Sequence, residues 1–147
     1  MNEYVYDPAK GFPRVVPERT YSDPERAAAW LSRAFGFTEL LRWADQDGIV
    51  RHVDMALEGG IIMLSGGGED ELPPVAREAS LVVFFVDDVD AHYAHAVKEG
   101  ATVVQTLRNQ PWGLRQYVAE DLTGHRWEFT GFVRAVTPEE WGAVTPE

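Results

Sequence analysis

The sequence predicts an α+β fold made of two tandem copies of one strand–helix–strand–strand–strand unit. Three observations carry that expectation. The same order of elements is legible twice along the 147 residues. Landmarks recur at a nearly constant offset: Asp23 and Asp88, Gly48 and Gly113, and Met63 and Glu128 each stand 65 residues apart, while Gly36 and Gly100 stand 64 apart. In both halves, a run of β-branched and aromatic residues leads into an Asp placed to cap a helix.

The first module is expected over about residues 14–65. It opens with "RVVPERTYSD" as a strand, then "PERAAAWLSRAFGF" as a helix. Asp23 is the cap, Pro24 takes the first helical position, and Glu25 suits the positive end of the helix dipole. Ala27, Trp30, Leu31, Ala34 and Phe35 recur at helical spacing, and Gly36 stands where the helix should stop. Three strands follow: "TELLRWAD", "GIVRHVDMALE" and "GGIIMLSG". Residues 66–79, with "GGGEDELPPVARE", read as a linker loop because Gly, Pro and charge crowd together there.

The second module is expected over about 80–133. "SLVVFFVDDVD" reads as a strand running into the helix "AHYAHAVKEG", with "TVVQTLRN", "LRQYVAED" and "HRWEFTGF" as its three further strands. In the tail, 134–147, the start Thr137-Pro138-Glu139-Glu140 looks like a capped short helix onto which Trp141 packs. Each half thus gives a mixed sheet with a single helix to cover one face. The other face must find a partner, and two such halves joined would curve around a shared cavity, the usual place for a small-molecule site.

Bulk properties narrow the function. Thirteen basic residues against twenty-four acidic ones leave a net charge of −11, which repels nucleic-acid backbones and anionic lipid. The same charge suits a cationic small molecule, though it also serves plain solubility. There is no cysteine, so disulfides, thiolate metal sites and cysteine nucleophiles are excluded. No apolar run approaches the roughly 18 residues of a membrane span, and the opening "MNEYVYDPAKGF" has no apolar signal core. A cytoplasmic location is the expectation.

The duplicated unit, "VDDVDAHYAHAVKEGATVV" and "PWGLRQYVAEDLTGHRWEF" resemble the vicinal oxygen chelate superfamily, the glyoxalase, bleomycin-resistance protein and dioxygenase group. The resemblance covers residues 14–133 and implies that group's tandem βαβββ fold. It also implies a small-molecule ligand and a homodimer. Enzymes of the group chelate a divalent metal with four side chains, from the first and last strands of both modules. Carried over by position, these fall at Val16, Met63, Leu81 and Glu128. Val, Met and Leu cannot hold such a cation, and Glu128 alone is too little. No metal and no cofactor are therefore expected. Glu18, one strand repeat from Val16, is the nearest carboxylate that could pair with Glu128.

Glu128 stands between Trp127 and Phe129 and must point to the opposite face of its strand from them. In a partly apolar pocket it should have a raised pKa or meet a cationic or hydrogen-bonding partner; otherwise it pairs with a neighbouring Arg or reaches solvent. His52 and Asp54 alternate with Val53, Met55 and Leu57, which places the polar pair on the cavity side or at a dimer seam. They read as a general base and its orienter, or as a satisfied surface pair. Trp43 and Trp112 occupy equivalent neighbourhoods and suit stacking on a planar or cationic ligand. Gln116, Met63 and Glu18 complete the candidate ligand-binding set. His92 and His95 share a helix spacing but lack a third metal ligand, and read as an exposed face.

The leading expectation is a metal-independent binding protein for a small, cationic and aromatic molecule, as in the drug-sequestering branch of the group. One alternative is a lyase, isomerase or dioxygenase with a relocated metal site or with acid/base chemistry at Glu128, assisted by Glu18 or His52. A structural or regulatory protein with a filled cavity is a third.

Overall fold

The computed structural model describes residues 4–147. The chain divides into two compact units, Met1–Leu72 and Pro73–Glu147, which are taken one at a time.

In the first unit, β1 (Glu18–Thr20) leads to α1 (Pro24–Phe35), followed by β2 (Thr38–Ala44), β3 (Val50–Leu57) and β4 (Gly60–Ser65). The strands lie in the order β1-β4-β3-β2, with β1 parallel to β4 and the other pairs antiparallel. The helix forms where its signals stand. Asp23 accepts from the Arg26 backbone N–H at 3.1 Å, and Gly36 closes the last turn at φ 81°. One stripe of α1, Ala27, Ala28, Leu31, Ala34 and Phe35, is almost wholly buried. It covers the sheet face carrying Val53, Met55, Ile62 and Leu64, none of which reaches solvent. Burying each of the larger side chains contributes roughly 1.5–3 kcal/mol. Arg19 lies on this covered face and is buried.

The second unit repeats the plan. A five-residue helix, α2 (Pro74–Glu78), precedes β5 (Val82–Phe85), α3 (Val89–Lys98), β6 (Thr102–Asn109), β7 (Leu114–Glu120) and β8 (Arg126–Phe132). Strand order is β5-β8-β7-β6, the same topology, and again only the first and last strands run parallel. Asp88 caps α3 by accepting from Ala91 N–H at 3.0 Å. Phe84, Tyr117, Ala119, Trp127 and Phe129 are buried on the covered face. His92 belongs to that face: its ring lies 4.1 Å from Phe129, and Nδ1 is 2.6 Å from the Tyr117 hydroxyl. His95 is exposed. The two histidines therefore do not form an exposed pair, because the sheet takes one of them.

Two further differences from the sequence reading have local causes. The linker is not all loop, since Pro74 at the first helical position starts α2. The tail helix is a single 3-10 turn, Pro138–Trp141, in which Glu140 accepts from the Thr137 N–H and Gly142 closes the turn at φ 89°. Trp141 does pack, against Trp112 with ring centroids 5.7 Å apart.

The tail is tied to the β6–β7 turn through Gly113, whose carbonyl accepts from Val133 and Arg134 N–H at 2.9 and 3.2 Å. Gly113 has φ 85°, and a Cβ there would stand 2.2 Å from the Arg134 carbonyl oxygen. Gly59 also has positive φ, at 87°, but has open space around its would-be Cβ. We expect Gly59→Ala to cost about 1 kcal/mol from backbone strain alone. Gly113→Ala should cost about 2–4 kcal/mol, because the collision adds to the strain. Urea unfolding of the two variants measures the difference.

Candidate functional site

Side chains alternate across a strand, so the helix-covered face leaves the other parity on an open face. In the first unit, register places Glu18, Met63, Asp54 and Leu41 abreast across the open face of β1, β4, β3 and β2, with Ser65, His52 and Trp43 as a neighbouring row. In the second unit, Val83, Glu128, Val118 and Gln105 stand abreast on β5, β8, β7 and β6. Phe85, Thr130, Gln116 and Arg108 form the next row. The alternation argument thus places His52, Asp54, Glu128 and Gln116 on open faces.

Register corrects two positions. Val16 and Leu81 precede the strands, whereas Glu18 is in register with Met63 and Val83 with Glu128. The first-strand positions are Glu18 and Val83. Pairing with the last strand, not distance along the chain, is what fixes the rung.

Glu128 is aimed by the turn before it. Asp121 Oδ1 accepts the backbone N–H groups of Thr123, Gly124 and His125 at 3.0–3.1 Å, and its Oδ2 accepts from Trp127 Nε1 at 3.2 Å. This buried carboxylate locks the hairpin and, through Trp127, the parity of β8. Glu128 itself is part-buried beside Val83 and Val118. Burial raises its pKa above the ordinary carboxylate value. Among the described residues it has no hydrogen bond or ion pair, and the obvious arginines are engaged elsewhere. Arg126 and Arg77 both hold Glu120, at 3.1 and 3.0 Å, while Arg115 reaches Asp90. Gln116 is buried and donates to Thr130 Oγ1 at 3.0 Å.

Asp54 is different. It is fully buried although it lies on the open face, because an N-terminal arm crosses it. The Tyr4 and Tyr6 hydroxyls donate to Oδ2 at 2.8 and 2.7 Å, and His52 Nε2 lies 2.6 Å from Oδ1. Burial and the bond to Asp54 push the Tyr6 hydroxyl up to about 12 and Tyr4 higher still, so both stay protonated donors. Sequence reasoning overlooked this arm. The Tyr-x-Tyr spacing in "EYVYD" was the available signal, since period 2 sends both rings to one side.

The remaining candidates are scattered. Glu18 accepts from Ser65 Oγ at 2.8 Å. Met63 is half-buried between Glu18 and Asp54. Trp43 is 59% exposed opposite His52, and Trp112 is paired with Trp141.

The family model for the glyoxalase/bleomycin resistance protein/dioxygenase superfamily matches residues 13–129. The chain belongs to this superfamily. Among solved structures, TioX from Micromonospora sp. ML1 is 43% identical, covering 85% of this chain and all of that one, with a TM-score of 0.68. An uncharacterised protein of Mycobacterium tuberculosis H37Rv is 32% identical over 135 residues, 87% of this chain and 79% of its own length. A mutant of the fosfomycin resistance protein FosX from Listeria monocytogenes, complexed with Mn(II) and dihydroxypropylphosphonic acid, shares the fold. Its identity is 20%, its TM-score 0.60, and the match covers 85% of this chain and 90% of FosX.

The superfamily's divalent metal does not fit the donors present. The first unit offers Glu18 beside Met63, and the second offers Val83 beside Glu128. Valine has no donor atom, and a thioether is a poor ligand for a hard or borderline cation. Among the described residues, no group of three or more His, Asp or Glu side chains is placed to hold an ion.

The raised pKa of Glu128 gives a pH signature. The folded state holds this proton more tightly than the unfolded chain, so ionising Glu128 opposes folding once pH rises through its folded pKa. That penalty is complete above the folded pKa and absent below the unfolded value, roughly 4.3. Glu128→Gln is therefore expected to melt higher than wild type at pH 7 and level with it near pH 4, by calorimetry at both values.

Proposed function

We propose that this protein binds a small, partly aromatic molecule with a cationic or hydrogen-bond-donating group, and that it does so without the superfamily's chelated metal. The observation that carries this reading is the carboxylate of Glu128, which has no partner among the described residues and stands between Val83 and Val118. Val83 is 48% exposed, and Phe85 and Phe132 are 58% and 72% exposed. A part-buried carboxylate flanked by hydrocarbon is costly to ionise unless a donor meets it. Val83 across the rung and the exposed ring of Phe85 one row on supply apolar contact for such a donor's ring system. A net charge of −11 raises the local concentration of cations.

Under this reading Glu128 is the anchor, while Gln116, Met63, Glu18, His52, Trp43 and Trp112 are contributors to the ligand-bearing surfaces. The exposed apolar side chains of Val83, Phe85 and Phe132 also suit a homodimer, because patches of this kind on a lone chain mark interaction surfaces. Among the described residues no helix is long and apolar enough to cross a membrane.

An enzymatic reading draws on one observation, that a carboxyl with a raised pKa is what a general base requires. One experiment separates the two. Calorimetric titration with a panel of cationic aromatic drugs should find a ligand that binds stoichiometrically and is recovered unchanged. Glu128→Gln should weaken its binding at least about tenfold, the loss of one charge-assisted hydrogen bond. Recovery of an altered ligand would establish the enzyme instead. Retained Zn, Ni, Mn or Fe that disappears in Glu128→Gln would overturn the metal-free assignment.

A further inference from the structure

The two units carry the same cross-strand pair in opposite order. In the first, Asp54 on β3 faces Met63 on β4; in the second, Val118 on β7 faces Glu128 on β8. Met63 and Glu128 are the repeat partners, 65 residues apart. Each of these cross-strand pairs therefore joins one carboxylate to one apolar side chain, with the carboxylate shifted by one strand between units. Glu128 has no partner among the described residues. Asp54 has two phenols.

Those phenols belong to an arm that, among the described residues, has no backbone hydrogen bond to the sheet. The main-chain hydrogen bonds of Lys10, Gly11 and Phe12 all close on Asp7 or Pro8, within the arm. Among the described residues, its side-chain hydrogen bonds to the sheet are the two hydroxyls on Asp54, while the edge-to-face rings of Tyr4, Tyr6 and Phe12, with centroids 5.1–6.2 Å apart, hold the arm to itself. Tyr6 is itself 56% exposed, although the carboxylate beneath it is not exposed at all. A groove of about 220 Å³ lies beside the arm, lined by Tyr4, Val5, Lys10, Gly11, Phe12 and Ile61.

We propose that Asp54 is a second carboxylate site for aromatic hydrogen-bond donors, and that the N-terminal arm is its tethered, displaceable occupant. The ligand class is the chemistry the arm displays: an aromatic ring with a hydroxyl or ammonium group donating to the carboxylate, of which phenols and aryl-alkyl amines are the simplest members. His52 holds Oδ1, so the incoming donor replaces the phenols at Oδ2. This rests on reading the open faces as ligand-bearing, the same reading that assigns Glu128.

The test uses the full chain with tyramine as probe and trypsin cleavage between Lys10 and Gly11 as the readout of arm release. The Tyr4→Phe/Tyr6→Phe double variant, which keeps the rings and removes the hydroxyls, should be cut at least tenfold faster than wild type while its thermal transition stays cooperative. Tyramine should speed cleavage of the wild type in the same way, and Asp54→Asn should abolish that effect. Cleavage unchanged in the double variant, or indifferent to tyramine at millimolar concentration, overturns the proposal and makes the arm a fixed wall. The two assignments fail separately. Binding that ignores Glu128→Gln while tyramine still frees the arm sinks Glu128 alone; binding that needs Glu128 with an arm that never responds sinks Asp54 alone.

Discussion

One helix can cover only one face of a four-stranded sheet, and the rest of each unit follows from that. The covered face is settled by α1 and α3, whose stripes take Val53, Met55, Ile62 and Leu64 in one unit and Tyr117, Trp127 and Phe129 in the other. Everything of opposite parity is left over. The residues that look out of place in the sequence, Asp54 and Glu128, are the leftovers, and parity rather than any local motif brings them onto open faces.

The two units resolve the same problem differently. In the first, a buried carboxylate is satisfied by three donors, two of them from a segment outside the sheet. Three hydrogen-bonding partners offset much of the cost of removing Asp54 from water. In the second, arginines are available but are spent on Glu120, next to the Asp121 turn. Glu128 is left with hydrocarbon on both sides. A structural carboxylate is normally provided for, as Asp54, Glu120 and Asp121 are. The exception is the one that most needs a ligand to explain it.

Much of this was legible in the sequence because it depends on local rules. Asp23-Pro24 and Asp88 announce their helices, Gly36 and Gly100 stop them, and alternation around Trp127-Glu128-Phe129 assigns the face. What was not legible depends on pairing across distance. The first-strand positions could be placed only once β1 was registered on β4 and β5 on β8, which moved them from Val16 to Glu18 and from Leu81 to Val83. The arm is the plainer case. Tyr4 and Tyr6 lie about fifty residues from Asp54, and nothing near either end of that contact requires the other. The pairing of Trp112 with Trp141 of the tail is another contact that nothing near either residue announces.

The choice between binding and catalysis turns on what surrounds Glu128 in its own sheet. A raised pKa serves a general base and a ligand anchor equally, so it decides nothing alone. Proton transfer also needs a group to steady the charge that develops on the substrate, within reach of the same reacting atom. Across the rung from Glu128 stand Val83 and Val118, which can do neither. One row on, Gln116 and Thr130 are bonded to each other, which commits an amide N–H and a hydroxyl lone pair that an oxyanion or a leaving group would call on. His52, the other candidate base, points a nitrogen at Asp54, in a separate sheet from Glu128. Flanked by Val83 and Val118, the Glu128 carboxylate holds a donor well, and the two strands next to it put no second polar group on its rung; this is why the binding reading stands ahead of the enzymatic one.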